Sequence, residues 1–245
     1  MVRERDLVTE PGVRIVPGSE RLPGYSRWFV ILAGAFVATL ITSNIVAVKL
    51  VALGPLVVPA GTVTVFPLSY IFGDVLTEVY GYRRSRLIIW LGFACNLLAV
   101  AAITATQVLP PAPFWDGQAA YERILGYTPR LLLGSFLAYL VGEFANAAVL
   151  SRLKLLTRGR WLWSRTVSST LVGQAFDSLV FVTIAFIGTI PASSLLQTII
   201  TSWLTKSAYE IIATPLTYFV VHALKRAEGI DVFDEGVSLS PFRLD

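Results

Sequence analysis

Two stretches of this chain carry no charge at all. Trp28 to Val48 and Leu87 to Leu109 each run past the roughly 18 consecutive apolar residues that mark a membrane-spanning helix. Such runs leave few folds open, because in hydrocarbon every backbone N–H and C=O must be satisfied inside its own element. Composition points the same way. Of 245 residues 55% are hydrophobic and 15% charged, against roughly 25% charged in soluble domains. Mean hydropathy is +0.67. The fold class read from the sequence is all-α: a polytopic membrane protein, a bundle of six transmembrane helices with both termini cytoplasmic.

The six predicted spans are Trp28 to about Leu50, Thr62 to Tyr80, Arg86 to Leu109, Leu131 to Ser151, Thr166 to Ile190 and Ser194 to Leu224. Residues 1–27 have no apolar core or signal-peptide pattern and are expected to form a disordered cytoplasmic tail. Residues 28–226 are expected to form the helical bundle, and 227–245 a polar cytoplasmic C-terminal tail of the same disordered kind. The short turn Gly188 to Pro191 predicts that the last two spans are antiparallel neighbours. Gln118 to Leu125 reads as a short amphipathic helix in the longest loop, a connector or a lid.

Orientation follows from Lys and Arg. Sixteen fall on the side of the N-terminus, the Arg83–Arg86 loop, the Arg152–Arg165 loop and the C-terminus, and only Arg123 and Arg130 on the other. The positive-inside rule makes the first side cytoplasmic, in the cell inner membrane. Trp28, Trp115, Trp161 and Trp163 fall near the expected interfaces, where such rings collect.

The informative residues are those that cost energy where they sit. An ionisable side chain near the bilayer centre costs about 2.5–3.5 kcal/mol on insertion scales. Seven lie in or at the edge of the spans: Lys49, Asp74, Glu78, Glu143, Asp177, Lys206 and Glu210. Asn44, Asn96, Asn146 and Gln174 accompany them. Asp74/Glu78 and Lys206/Glu210 are spaced i, i+4, and Glu143/Asn146 and Gln174/Asp177 i, i+3, so each pair shares a helix face. Turning all four stripes inward around one cavity near the midplane is the economical arrangement, and the midplane is where transporters bind. Tyr70-x-x-Gly73-Asp74 is echoed by Tyr139-x-x-Gly142-Glu143, each glycine opening room for close approach beside an acid.

Blander roles compete. Lys206 and Glu210 could pair within their helix, Glu78 could pair with Arg83 or Arg84, and Lys49 could snorkel to the interface. The asparagines could be helix–helix glue. Asp74, Glu143 and Asp177 resist this, since five acids face two lysines within the spans. That excess motivates proton symport as a hypothesis. The single Cys95 permits no disulfide framework and reads as packing material. Gly34, Ala35 and Ala38 would suit helix packing within the chain or in a homo-oligomer.

Those segments carry a resemblance. Ser43-Asn44 through Lys49 and Phe66-Pro67 through Gly73-Asp74-Val-Leu-Thr77-Glu78-Val-Tyr80-Gly81 are similar to the queuosine-precursor transporter family, also called the vitamin uptake transporter family. Gly142-Glu143-x-x-Asn146, Leu162-Trp163-Ser-Arg165-Thr166, Gly173-Gln174-x-x-Asp177-Ser178 and Lys206-x-x-Tyr209-Glu210 match as well, over roughly residues 28 to 226. The resemblance implies import of a 7-deazaguanine base for tRNA queuosine salvage: 7-cyano-7-deazaguanine, its aminomethyl relative, or queuine. No cofactor is expected, and the net charge of +4 implies no nucleic-acid partner, because the basic residues lie beside the membrane spans. A carboxylate accepts both adjacent N–H donors of a guanine-like edge, and Lys or an amide donates to its carbonyl. Asp74, Glu143, Asn146, Gln174, Asp177, Lys206 and Glu210 are thus the candidate substrate contacts, with Asn44, Glu78 and Asn96 supporting.

Two other functions stay open on sequence. A binding subunit could hand substrate to a separate ATP-driven module; no Walker A pattern occurs in the chain itself. An intramembrane enzyme fits poorly. His222, the only histidine, cannot build a His-based zinc site, and the Gly-x-Gly-Asp pattern of aspartyl proteases lacks its first glycine before Asp74.

Overall fold

The computed structural model describes residues 13–15, 26–46, 49–53, 56–60, 64–126, 129–188 and 191–243, with main chain only for 13–15, 50, 52–53, 56–59 and 129–131. Among the described residues it holds seven α-helices: α1 (Arg27–Val46), α2 (Phe66–Tyr80), α3 (Tyr82–Gln107), α4 (Gln118–Leu125), α5 (Pro129–Leu156), α6 (Leu162–Phe186) and α7 (Ala192–Glu228). Two antiparallel strand pairs accompany them. β2 (Leu50–Leu53) pairs with β3 (Leu56–Pro59), and β1 (Val13–Ile15) pairs with β4 (Ile230–Val232).

Among the described residues four helical stretches are long and apolar enough to cross a membrane: Arg27–Val46, Tyr82–Gln107, Leu132–Leu156 and Leu162–Phe186. Their outer faces carry bare hydrocarbon, such as Leu98 at 70% exposure on α3, which a wet surface would not tolerate as a continuous patch. The other two expected spans differ for physical reasons. Helix α2 has 15 residues, of which twelve are buried. At about 1.5 Å per residue it is shorter than the hydrocarbon layer. It is the central post of the bundle, touching α1, α3, α5 and α7. Helix α7 has 37 residues and the length to span, but its polar residues are spread along it.

Two boundaries correct the sequence expectation. The first helix ends at Val46, not Leu50, and the chain turns into the β2–β3 hairpin. The C-terminal segment is an ordered strap, not a disordered tail. Strand β4 lines up with β1, placing Arg14 opposite Asp231. Both carboxylate oxygens of Asp234 accept from the Tyr82 N–H at 2.9–3.0 Å, and Oδ2 also accepts from the Ser151 hydroxyl at 2.6 Å. Arg86 donates to the Ser240 carbonyl and Trp90 to that of Pro241. Gly81, at φ +84°, makes the dock feasible: a Cβ there would sit 2.7 Å from Val232 Cγ1, and that φ itself favours glycine.

The expected turn between α6 and α7 falls partly on residues 189–190, outside the described residues. The two helices are antiparallel neighbours all the same, because Gln174 meets Glu210 while Asp177 meets Lys206. The loop helix forms over Gln118–Leu125 as the sequence predicts. Gln118 donates to the Gln107 carbonyl and Tyr121 to that of Ile103, holding it against the end of α3.

Candidate transport cavity

The helices enclose a cavity of about 470 Å³, within the roughly 300–1,000 Å³ of small-molecule sites. Its wall comes from the C-terminal part of α1, the start of α2, the middle of α3, the first halves of α5 and α7, and the second half of α6. All these lie away from the arginine-rich loops. Close helix contact fixes the acids at its floor. Helices α2 and α5 cross reciprocally: a Cβ on Gly73 would lie 3.1 Å from Glu143 Oε2, and one on Gly142 3.4 Å from the Tyr70 hydroxyl. Helices α5 and α6 meet at Gly142 and Gly173, where a Cβ would lie 2.9 Å from Asp177 Cβ and 2.8 Å from Asn146 Cβ respectively. The echoed Tyr-x-x-Gly-acid segments are thus the crossing points that aim Glu143 and Asp177 at the cavity.

Of the seven substrate candidates, Glu143, Asp177 and Lys206 line this cavity, with Asn44 and Asn96 from the supporting set. Asn44 donates to Asn96 Oδ1 at 3.0 Å, tying α1 to α3. Lys206 pairs with Asp177, not with Glu210 on its own helix, and its ammonium sits 4.9 Å from the centre of the Phe66 ring. Glu143, 2% exposed, has no cation and no hydrogen-bond donor among the described residues.

The other four form a layer beneath. Asn146 donates to Asp74 Oδ1 at 2.7 Å, and Gln174 to Glu210 Oε2 at 3.1 Å. The single cavity that the four polar stripes suggest is therefore two tiers. Glu78 belongs to neither. It is fully buried at the arginine-rich end, where Oε1 meets Arg165 Nη2 at 2.8 Å, Lys225 Nζ at 2.7 Å and Lys154 Nζ at 3.6 Å. These, and not Arg83 or Arg84, are its ion-pair partners. Lys154 and Lys225 also reach Asp231 Oδ1, at 2.6 and 2.8 Å. One cluster thus clamps α2, α5, α6, α7 and the strap together and closes the bundle below the cavity. Lys49 is exposed beyond α1.

Sequence reasoning missed the polar wall on α7: Gln197, Thr198, Thr201, Ser202 and Thr205. Their three- and four-residue spacing leads straight to Lys206 and was a readable signal. It also missed the plug, because Lys154 and Arg165 were counted only as loop charge.

A cavity between apolar helices, floored by ionisable groups and walled by aromatic and hydroxyl side chains, defines a small-molecule membrane transporter. The sequence comparisons agree. The family model described as "Putative vitamin uptake transporter" matches residues 59–220, and the chain belongs to that family. It is 34% identical to the "Probable queuosine precursor transporter" of Bacillus subtilis (strain 168), over 73% of this chain and 78% of that protein. It is 29% identical to the "Queuosine precursor transporter" of Escherichia coli (strain K12), over 49% of this chain and 52% of that one. No solved structure gives a significant match.

Proposed function

We propose that this protein imports a queuosine precursor, a 7-deazaguanine base, across the cell inner membrane, with six spans and both termini cytoplasmic. The observation that carries the reading is the pairing of charges at the cavity floor. Lys206 satisfies Asp177, while the Glu143 carboxylate has no partner among the described residues. A guanine-like edge supplies what Glu143 lacks: two adjacent N–H donors for its two oxygens. Lys206 stands across the floor to donate to the base carbonyl. The Phe66 and Tyr139 rings in the wall offer faces for a flat heterocycle. The names borne by the relatives support the same cargo.

Direction follows from the basic residues. The cavity lies in the half of the bundle away from the arginine-rich loops, which the positive-inside rule puts outside. With the Glu78 cluster closing the cytoplasmic end, the arrangement is an outward-facing state. The reading is tested by salvage. A bacterial strain unable to make 7-deazaguanine should regain queuosine in its tRNA from externally supplied base when this chain is expressed. Unmodified tRNA despite membrane-inserted protein would sink the cargo assignment.

A further inference from the structure

The tier beneath the cavity has its own chemistry. Ser178 lies one turn from Gln174 on α6, and Ser207 one turn from Glu210 on α7, so these four share the α6–α7 seam. Asn146 abuts α6 at Gly173, next to Gln174, and holds Asp74. Asn146 Oδ1, Gln174 Oε1, Ser178 Oγ, Ser207 Oγ and Glu210 Oε1 are all buried without a hydrogen-bond donor. Each of these side chains is 6% exposed or less. Every one of the five orphans is an oxygen, and the layer's two carboxylates, Asp74 and Glu210, have no cation among the described residues. Lys206 is taken by Asp177, and the Arg165, Lys154 and Lys225 cations by Glu78. Glu143 lies above the layer, on the cavity floor. A void of about 10 Å³ is bounded by Gln174 and Glu210 on the side of the layer and by Phe66, Tyr70 and the Asp177-paired Lys206 on the side of the cavity, about the room of one water-sized particle.

Buried oxygens of this kind cost several kcal/mol each if nothing meets them, and two buried carboxylates cost more. An apolar packing role would not gather these five oxygens and a further acid, Asp74, from four helices. A large organic ligand would not fit the void. What fits is a small positive charge with oxygen-seeking chemistry. We propose that Asp74, Asn146, Gln174, Ser178, Ser207 and Glu210 form the coupling site for a monovalent cation, either a proton or sodium, whose binding is linked to filling of the cavity above. The inference rests on the transporter reading but not on the identity of the cargo.

The test uses purified full-length protein and the cation alone. A carbodiimide adds to a protonated carboxyl, and the adduct is located by peptide mass spectrometry. For a proton site, labelling at Asp74 or Glu210 falls about tenfold per pH unit above its midpoint and is the same in NaCl and KCl. For a sodium site, NaCl but not KCl protects from labelling at fixed pH and raises the melting temperature. Glu210→Gln or Asp74→Asn removes the adduct at the changed residue and blunts the cation response. Labelling and melting that are indifferent to pH and to sodium overturn the site. Failure to carry a 7-deazaguanine base, with the cation response intact, would overturn the cargo and leave the site standing.

Discussion

At the residue scale, two buried glutamates make opposite predictions. Glu143 is unpaired in a cavity, so Glu143→Gln should leave the fold intact and remove a charged acceptor. That loss is worth about 1.5–3 kcal/mol, so uptake should need roughly ten- to hundredfold more base, with normal membrane insertion. Glu78 answers three cations. Glu78→Gln strands Arg165 in a buried site while Lys154 and Lys225 keep Asp231, and breaking such a pair costs about 3–5 kcal/mol. Thermal unfolding in detergent should show a large loss for Glu78→Gln and little for Glu143→Gln; the reverse order would contradict both assignments. The sequence made both acids visible as expensive residues. It did not separate them, because their partners come from loops that read as topology signals. It suggested Lys206 with Glu210 from their spacing, yet the antiparallel packing of α6 on α7 brings Asp177 closer. Partner choice is a tertiary property that spacing along one helix does not carry.

At the element scale, the strap of residues 230–243 is the feature least legible beforehand. Its sequence is polar and acidic, and such segments are usually free. Here the acids are its anchors. Partial burial pushes the Asp231 carboxyl up, but Lys154 and Lys225 outweigh it and hold the carboxyl below its ordinary value. A group depressed in the folded state contributes stability above its unfolded pKa, about 3.9, and loses it as pH falls through the folded value. Amides of the strap should therefore stay protected from hydrogen exchange at neutral and mildly acid pH and open only below about pH 4. Asp231→Asn should speed their exchange at neutral pH. Protection that ignores both pH and this substitution would show that the ion pairs do not hold the strap. The hairpin after α1 was equally hidden, since its apolar residues extend the greasy run of the first span and periodicity cannot end a helix inside such a run. Helix α2 was legible because its polar pair and Gly73 mark a face, although its length falls below what a span needs.

At the scale of the whole molecule, the proposed function puts the cavity on the external side of the bundle and the Glu78 cluster at its cytoplasmic end. Its orientation is testable in a Cys95→Ser background. Asp116→Cys, between α3 and α4, should react with an impermeant maleimide on intact cells, and Arg158→Cys, between α5 and α6, only after permeabilisation. The opposite pattern would invert the protein and the direction of transport. The bundle was legible because grease and loop charge are properties of the chain itself. The two tiers were not, because they depend on how closely Gly142 and Gly173 let α5 and α6 approach. The central claim is that this chain by itself carries a 7-deazaguanine base through the cavity floored by Glu143. Uptake of radiolabelled base into proteoliposomes holding only the purified protein measures it directly. The account predicts saturable accumulation that Glu143→Gln weakens; binding without any uptake in the absence of a second protein would contradict it.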